Sequence, residues 1–274
     1  MNQTILQRNN VNISGKGNQY MIFAPGFGCN QSMWRMIASE FEKDYRVVLF
    51  DYVGTGNSDL QAYNKERYSD LSGYVQDVLD ICEAIDAHNA IFVGHSVGSM
   101  IGILASIREP KRFERLVLIG PSPCYENKLP DYYGGFSKED LTGLIDLMEK
   151  NFAGWANYLA SAVMQNPDRP LLAAELEISF CSIQPDIARL FAVATFFADN
   201  RKDLPLVPVP ALILQSNEDV IAPVKVGEYV HQSMPQSTYK LMKATGHCPH
   251  MSHPEETIQL IHEFLGILIV KDKS

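Results

Sequence analysis

The chain has 274 residues, of which 46% are hydrophobic and 20% charged, with a formal net charge of −9. Such usage is that of a globular protein long enough to bury a sizeable core. An acidic chain without a Lys/Arg cluster lacks the electrostatic footprint of a nucleic-acid binder.

The opening MNQTILQRNNVN has none of the charged, apolar and small-residue blocks of a secretory signal. The sequence contains no run of about 18 apolar residues that could cross a membrane. Its five cysteines form no CxxC pair, which argues against a disulfide scaffold. The cytoplasm is the expected compartment.

In chain order, YMIFAP (20–25), RVVLFD (46–51), AIFVG (90–94) and RLVLIG (115–120) read as buried strands, each ended by Gly, Pro or Asp. Between the second and third, Leu71, Tyr74, Val75, Val78, Leu79, Cys82 and Ile85 follow the spacing of one apolar helix face. Strands alternating with helices predict an α/β fold with a mostly parallel sheet covered on both sides.

From about 122 to 200 the pattern turns helical and aromatic. SKED at 137–140 is a capping-box signature ahead of Leu141, Leu144, Ile145 and Met148. This stretch is expected to be a helical lid, residues 122–200, inserted into a core formed by 1–121 and 201–274. ALILQS (211–216) and TYKLMK (238–243) return the chain to the sheet, with a helix near 222–233 between them. A last helix begins around 254, where Pro254 suits the first turn and Glu255 and Glu256 complement the helix dipole.

GHSVG at 94–98 fits G-x-S-x-G directly after a predicted strand and before a predicted helix. The glycines permit a sharp strand-to-helix turn that lifts the Ser96 hydroxyl clear of the sheet edge. A serine needs a base to take its proton and a carboxylate to orient that base. The loops after the last two strands supply both: NEDVIAP carries Glu218 and Asp219, and ATGHCPHMSH carries His247. Asp219 is preferred to Glu218 because the shorter carboxylate is commoner in this role. Asp51 and Asp59 precede the serine and follow an earlier strand, so they read as loop-forming. The tetrahedral oxyanion requires two N–H donors, expected from the backbone of Val97 and from Phe27 in PGFGCN.

GHCPHMSH (246–253) also has the look of a metal site, with three histidines at a spacing of three and Cys248 between two of them. Pro249 and Pro254 interrupt the helix that such spacing needs, and no further ligand cluster adjoins it. No metal or cofactor is expected; His250 and His253 read as loop or cap residues beside one working histidine.

At this point the chain resembles the α/β-hydrolase superfamily over nearly its whole length. The blocks FAPGFGCNQSMW, LFDYVGTGNSD, GHSVGSMIGILAS, GPSPCYEN and ATGHCPHMSHPEETIQLI resemble the RsbQ group of bacterial energy-stress regulators. They are also similar to the plant strigolactone and karrikin receptors. The resemblance implies a Ser96–His247–Asp219 triad in a small hydrophobic pocket under a four-helix lid, with Phe136, Trp155 and Phe196 lining the pocket beside Phe27. It implies hydrolysis of a small hydrophobic ester or lactone. It also implies positive regulation of the general-stress sigma factor through a PAS-domain protein phosphatase, the RsbP-like partner. The alternatives are a ligand receptor with slow hydrolysis and a general detoxifying carboxylesterase. PGFG stands where many esterases have a His-Gly oxyanion motif, which weakens a claim to large lipase-type substrates.

Overall fold

The computed structural model describes residues 3–267. Its sheet has seven strands: β1 (Asn12–Ser14), β2 (Gln19–Ala24), β3 (Tyr45–Leu49), β4 (Ala90–His95), β5 (Phe113–Ile119), β6 (Ala211–Gln215) and β7 (Ser237–Leu241). They lie in the order β1-β3-β2-β4-β5-β6-β7. β1 pairs antiparallel with β3, and every other pairing is parallel. The predicted six strands are all present. β1 escaped the sequence pattern because it is three residues long and exposed at every position, so no alternation marks it.

Ten α-helical segments accompany the sheet among the described residues: α1 (Gln3–Arg8), α2 (Leu71–Ala84), α3 (Val97–Arg108), α4 (Lys138–Lys150), α5 (Phe152–Met164), α6 (Pro170–Cys181), α7 (Pro185–Phe196), α8 (Val224–Ser233), α9 (Pro249–Ser252) and α10 (Pro254–Leu265). α2 starts where Asp70 accepts a hydrogen bond from Ser72 N at 2.7 Å, an N-cap that satisfies an otherwise orphaned donor. All seven residues of its predicted apolar face are buried. No helix among the described residues is long and apolar enough to cross a membrane.

The parallel register brings the strand ends that carry the motifs to one edge. Ala24 pairs with Gly94, Gly94 with Leu118, Leu118 with Ile213, and Ile213 with Tyr239. The loops that follow hold PGFGCN, Ser96, PSPCYEN, NEDV and ATGH, so five separate stretches of sequence open on one crevice. Ligands of open parallel sheets bind at this carboxyl edge.

α4 to α7 all fall between β5 and β6. The expected capping box is formed: Asp140 N donates to Ser137 Oγ at 3.0 Å and Ser137 N to Asp140 Oδ2 at 2.9 Å. α5 packs on α4 and α6, and α4 on α7. The Phe27 ring of the first loop reaches into this group, with Phe191 and Phe196 at 5.3 and 5.5 Å and Trp155 and Phe180 at 6.1 and 6.2 Å. Aromatic burial thus joins the four helices to the sheet edge.

Candidate active site

Ser96 sits between β4 and α3 with φ 54° and ψ −121°, backbone that a residue with a Cβ seldom adopts. Holding it there costs about 1–3 kcal/mol. Its neighbours explain how the turn is built. A Cβ on Gly98 would lie 2.5 Å from Pro25 O and 2.6 Å from Ala24 O, and one on Gly94 would lie 2.6 Å from Gly98 O. The two glycines of the motif let α3 start against β2 and β4 without backbone collision. Strand and helix therefore meet at the one point where the hydroxyl is offered.

The other two residues come from the loops after β6 and β7. Asp219 Oδ1 accepts from Ile221 N at 2.8 Å and Ala222 N at 3.0 Å, so the carboxylate is held by its own loop. Its Oδ2 accepts from His247 Nδ1 at 2.7 Å, and His247 Nε2 lies 2.8 Å from Ser96 Oγ. All three residues are buried. Glu218 is exposed and joins the His247 loop only through backbone, Gly246 N donating to Glu218 O at 2.8 Å. The His247 loop is tied in turn to the helical group, His247 N donating to Val163 O at 2.8 Å and Asn166 Nδ2 to Thr245 O at 2.9 Å.

The earlier acids serve structure. Asp51 accepts from Gln31 N, Asn57 N and Asn10 Nδ2 at 2.7–2.9 Å and knits three loops together. Asp59 caps a short turn by accepting from Gln61 N at 2.9 Å.

The three histidines of GHCPHMSH part company. His253 lies at the N-cap of α10, and Ser252 Oγ is 2.9 Å from its Nδ1. His250, expected in a loop or cap, is instead wholly buried in α9, its ring 4.6 Å from those of Trp34 and His95. Pro249 opens α9 and its single turn swings residue 250 inward. Neither ring nitrogen of His250 has a hydrogen-bond partner among the described residues. His95 Nε2–H donates to His247 O at 2.8 Å, since a carbonyl can only accept.

Burial drives both imidazoles toward the neutral form: His250 is lowered from 6.5 to about 3, chiefly by desolvation and then by His247, and His95 falls well below its ordinary value through desolvation and then through His250 and His247. Because the folded value lies below the unfolded one, the unfolded chain binds more protons between pH 6.5 and about 3. The stability this represents is complete above the unfolded value and is lost as pH falls toward the folded one. His250→Phe keeps a ring beside Trp34 and removes one of these protonations. Its urea midpoint should therefore fall less than the wild type's between neutral pH and about pH 4.5; equal slopes would refute the assignment.

A cavity of about 30 Å³ lies against Ser96, lined by Phe27, Tyr125, Leu159, Phe180, Phe196 and Ile221 among others. It is apolar and holds little more than a water molecule. Beside it is an outer pocket of about 540 Å³ that shares Leu159, Phe196 and Ile221 with it. Of the residues expected around the serine, Phe27 and Phe196 line the inner cavity. Phe136 lines only the outer pocket, because it stands farther out beside Leu144 and Leu147. Trp155 lines neither, because its ring is packed behind Phe27 between Phe152 and Phe180. Val97 is the first residue of α3 and is buried behind Ser96.

Cys29 and Cys248 also face the cavity, but burial pushes the Cys29 thiol up to about 12 and Cys248 well above its ordinary value. Both stay protonated at neutral pH, whereas the Ser96 hydroxyl has an imidazole nitrogen at 2.8 Å. Tyr125, whose hydroxyl lies 3.2 Å from Ser96 Oγ, was not singled out from sequence. Its place in the loop after β5, at the same sheet edge as the triad loops, is the available signal.

Buried carboxylate, imidazole and hydroxyl in one hydrogen-bonded row can pass the serine proton to the base while the oxygen attacks a carbonyl. The alpha/beta hydrolase family model matches residues 21–260. The chain is 39% identical over 256 residues to a karrikin insensitive 2 receptor from Petunia hybrida, covering 93% of this chain and 94% of that protein. It is 36% identical over 262 residues to the strigolactone esterase D14 of Arabidopsis thaliana, covering 95% and 97%. The structure of a hydrolase from Oleispira antarctica superposes with a TM-score of 0.94 at 45% identity, covering 96% of this chain and 97% of that one.

Proposed function

The chain belongs to the alpha/beta hydrolase family and is a serine hydrolase, and from that premise we propose that it cleaves small hydrophobic esters or lactones with Ser96 as nucleophile. His247 takes the Ser96 proton as the oxygen attacks and returns it to the leaving alkoxide, while Asp219 holds the Nδ1–H tautomer. The backbone amides of Val97 and Phe27 receive the oxyanion. Water then enters by the same route and His247 deprotonates it to release the acid.

The observation that carries this proposal is the hydrogen-bonded row from Asp219 through His247 to Ser96, 2.7 and 2.8 Å long, beside an apolar cavity. We read residues 122–200 as a lid on a core of 1–121 and 201–274, of which 1–2 and 268–274 lie outside the described residues. The small inner cavity limits what sits on the serine, and Phe136 and Phe196 border the outer space available to the rest of a substrate. A fluorophosphonate probe tests the assignment: it should label Ser96 and no residue of the Ser96→Ala protein. Labelling elsewhere would overturn it.

A regulatory role is a second reading, favoured by the resemblance of the sequence blocks to the RsbQ group and by relatives named as receptors. In it the chain works in the cytoplasm with a PAS-domain phosphatase, and the lid's outer face, where Leu171 and Ile178 are 81% and 71% exposed, meets the partner. Adding the purified chain and its Ser96→Ala form to such a phosphatase separates the cases. Activation by both forms assigns the signal to binding, activation by the wild type alone assigns it to turnover, and activation by neither removes the role.

A further inference from the structure

The Tyr125 hydroxyl stands 3.2 Å from Ser96 Oγ, a contact that a serine, histidine and aspartate triad does not require. The triad fixes which atom donates. His247 Nδ1 gives its hydrogen to Asp219 Oδ2, so Nε2 is the lone-pair nitrogen and takes the single hydrogen of Ser96. Oγ has no second hydrogen to give, and Tyr125 is therefore the donor to it.

This donor is firmly placed. Tyr125 is 2% exposed, and its ring meets Phe196 edge-on at 5.2 Å. Its carbonyl accepts from Phe136 N at 3.1 Å, and the preceding carbonyl, of Cys124, accepts from Tyr132 Oη at 2.6 Å. Pro123 O accepts from Asn200 N at 2.8 Å and Asn127 N donates to Phe136 O at 2.7 Å, so the loop is fastened on both sides of the tyrosine. Burial pushes the phenol up to about 12, and it keeps its hydrogen throughout the neutral range.

We propose that Tyr125 is a further catalytic residue, whose hydrogen bond to Ser96 Oγ shortens the life of the acyl-enzyme. The inference rests on Ser96 being the nucleophile. In the free enzyme Oγ is a hydroxyl oxygen and accepts well. In the acyl-enzyme its lone pair is delocalised into the carbonyl, and it accepts poorly. In deacylation a water oxygen bonds to the acyl carbon, His247 takes the water's proton, the C–Oγ bond breaks and His247 returns that proton to Oγ. Tyr125 keeps its own hydrogen and bonds more strongly as negative charge gathers on the departing Oγ. The same bond is weakened when Oγ attacks, so Tyr125 assists release of the acyl group more than its capture.

The experiment follows acetyl transfer from nitrophenyl acetate by stopped flow and by intact-protein mass. Losing one ordinary hydrogen bond corresponds to about a tenfold change in rate. Tyr125→Phe should slow deacylation by about that factor and let the acetyl adduct on Ser96 accumulate, while attack on a fluorophosphonate is not slowed. Should the phenylalanine variant fold poorly, 3-fluorotyrosine at 125 keeps the ring, strengthens the donor and should shorten the adduct's life. An adduct with wild-type lifetime in both proteins, or a parallel fall in both steps, would overturn the inference while leaving the nucleophile intact. Absence of any Ser96 adduct on the wild type, with undiminished hydrolysis by Ser96→Ala, would overturn the nucleophile as well.

Discussion

Ser96→Ala is expected to lower kcat for a nitrophenyl ester by about a millionfold, the loss that follows removal of a triad serine. The size of the effect comes from the absence of a substitute at the crevice. Cys29 and Cys248 also lie on the cavity wall, and burial holds both as thiols, as it holds the Tyr125 phenol protonated. A water activated by His247 and stabilised by the same backbone donors is all that remains, so a small residual rate above the uncatalysed one should persist. Fold and thermal midpoint should be nearly unchanged, because alanine shares the strained backbone of position 96 and deletes one atom. Hydrolysis surviving at the wild-type rate would remove Ser96 from the reaction.

Asp219→Asn should cost about 10⁴-fold in kcat with little change in KM. The loop dictates how the asparagine sits. Ile221 N and Ala222 N both point at Oδ1, so the amide oxygen takes that place and the NH₂ group faces His247. His247 Nδ1 must then accept, its hydrogen moves to Nε2, and the ring meets Ser96 with a hydrogen where a lone pair is needed. Glu218→Gln is the control: that carboxylate is exposed and outside the row, and turnover should stay near the wild-type rate. Steady-state kinetics of the two variants decides between the neighbouring acids, and a larger loss at 218 would reverse the assignment.

The six longer strands, the turn at Ser96 and the loops bearing Asp219 and His247 could be read from residues because each depends on local pattern and on where a parallel strand must end. The aromatics expected around the serine could not be sorted that way. Phe27, Phe136, Trp155 and Phe196 are alike in composition, yet ring packing sends Trp155 behind Phe27 and leaves Phe196 facing the serine. Tyr125 and Ser96 are 29 residues apart on different loops, and only the register of β4 against β5 brings them together. His250 misled in another way. Its polarity and the prolines around it indicate a surface turn, whereas one short helical turn carries it between Trp34 and His95.

The bond from His247 N to Val163 O joins the general base to the last turn of α5, and Asn166 spans Met164 O and Thr245 O beside it. It works as an interlock. Movement of α5 away from the sheet would pull on the loop that carries the imidazole and should draw it out of line with Ser96. A substrate too large for the inner cavity would then be expected to enter by yielding of the side chains between the two pockets, Leu159, Phe196 and Ile221, with the α5 backbone in place. A molecule that levers α5 outward instead would find the serine without its base, and would be held rather than cut.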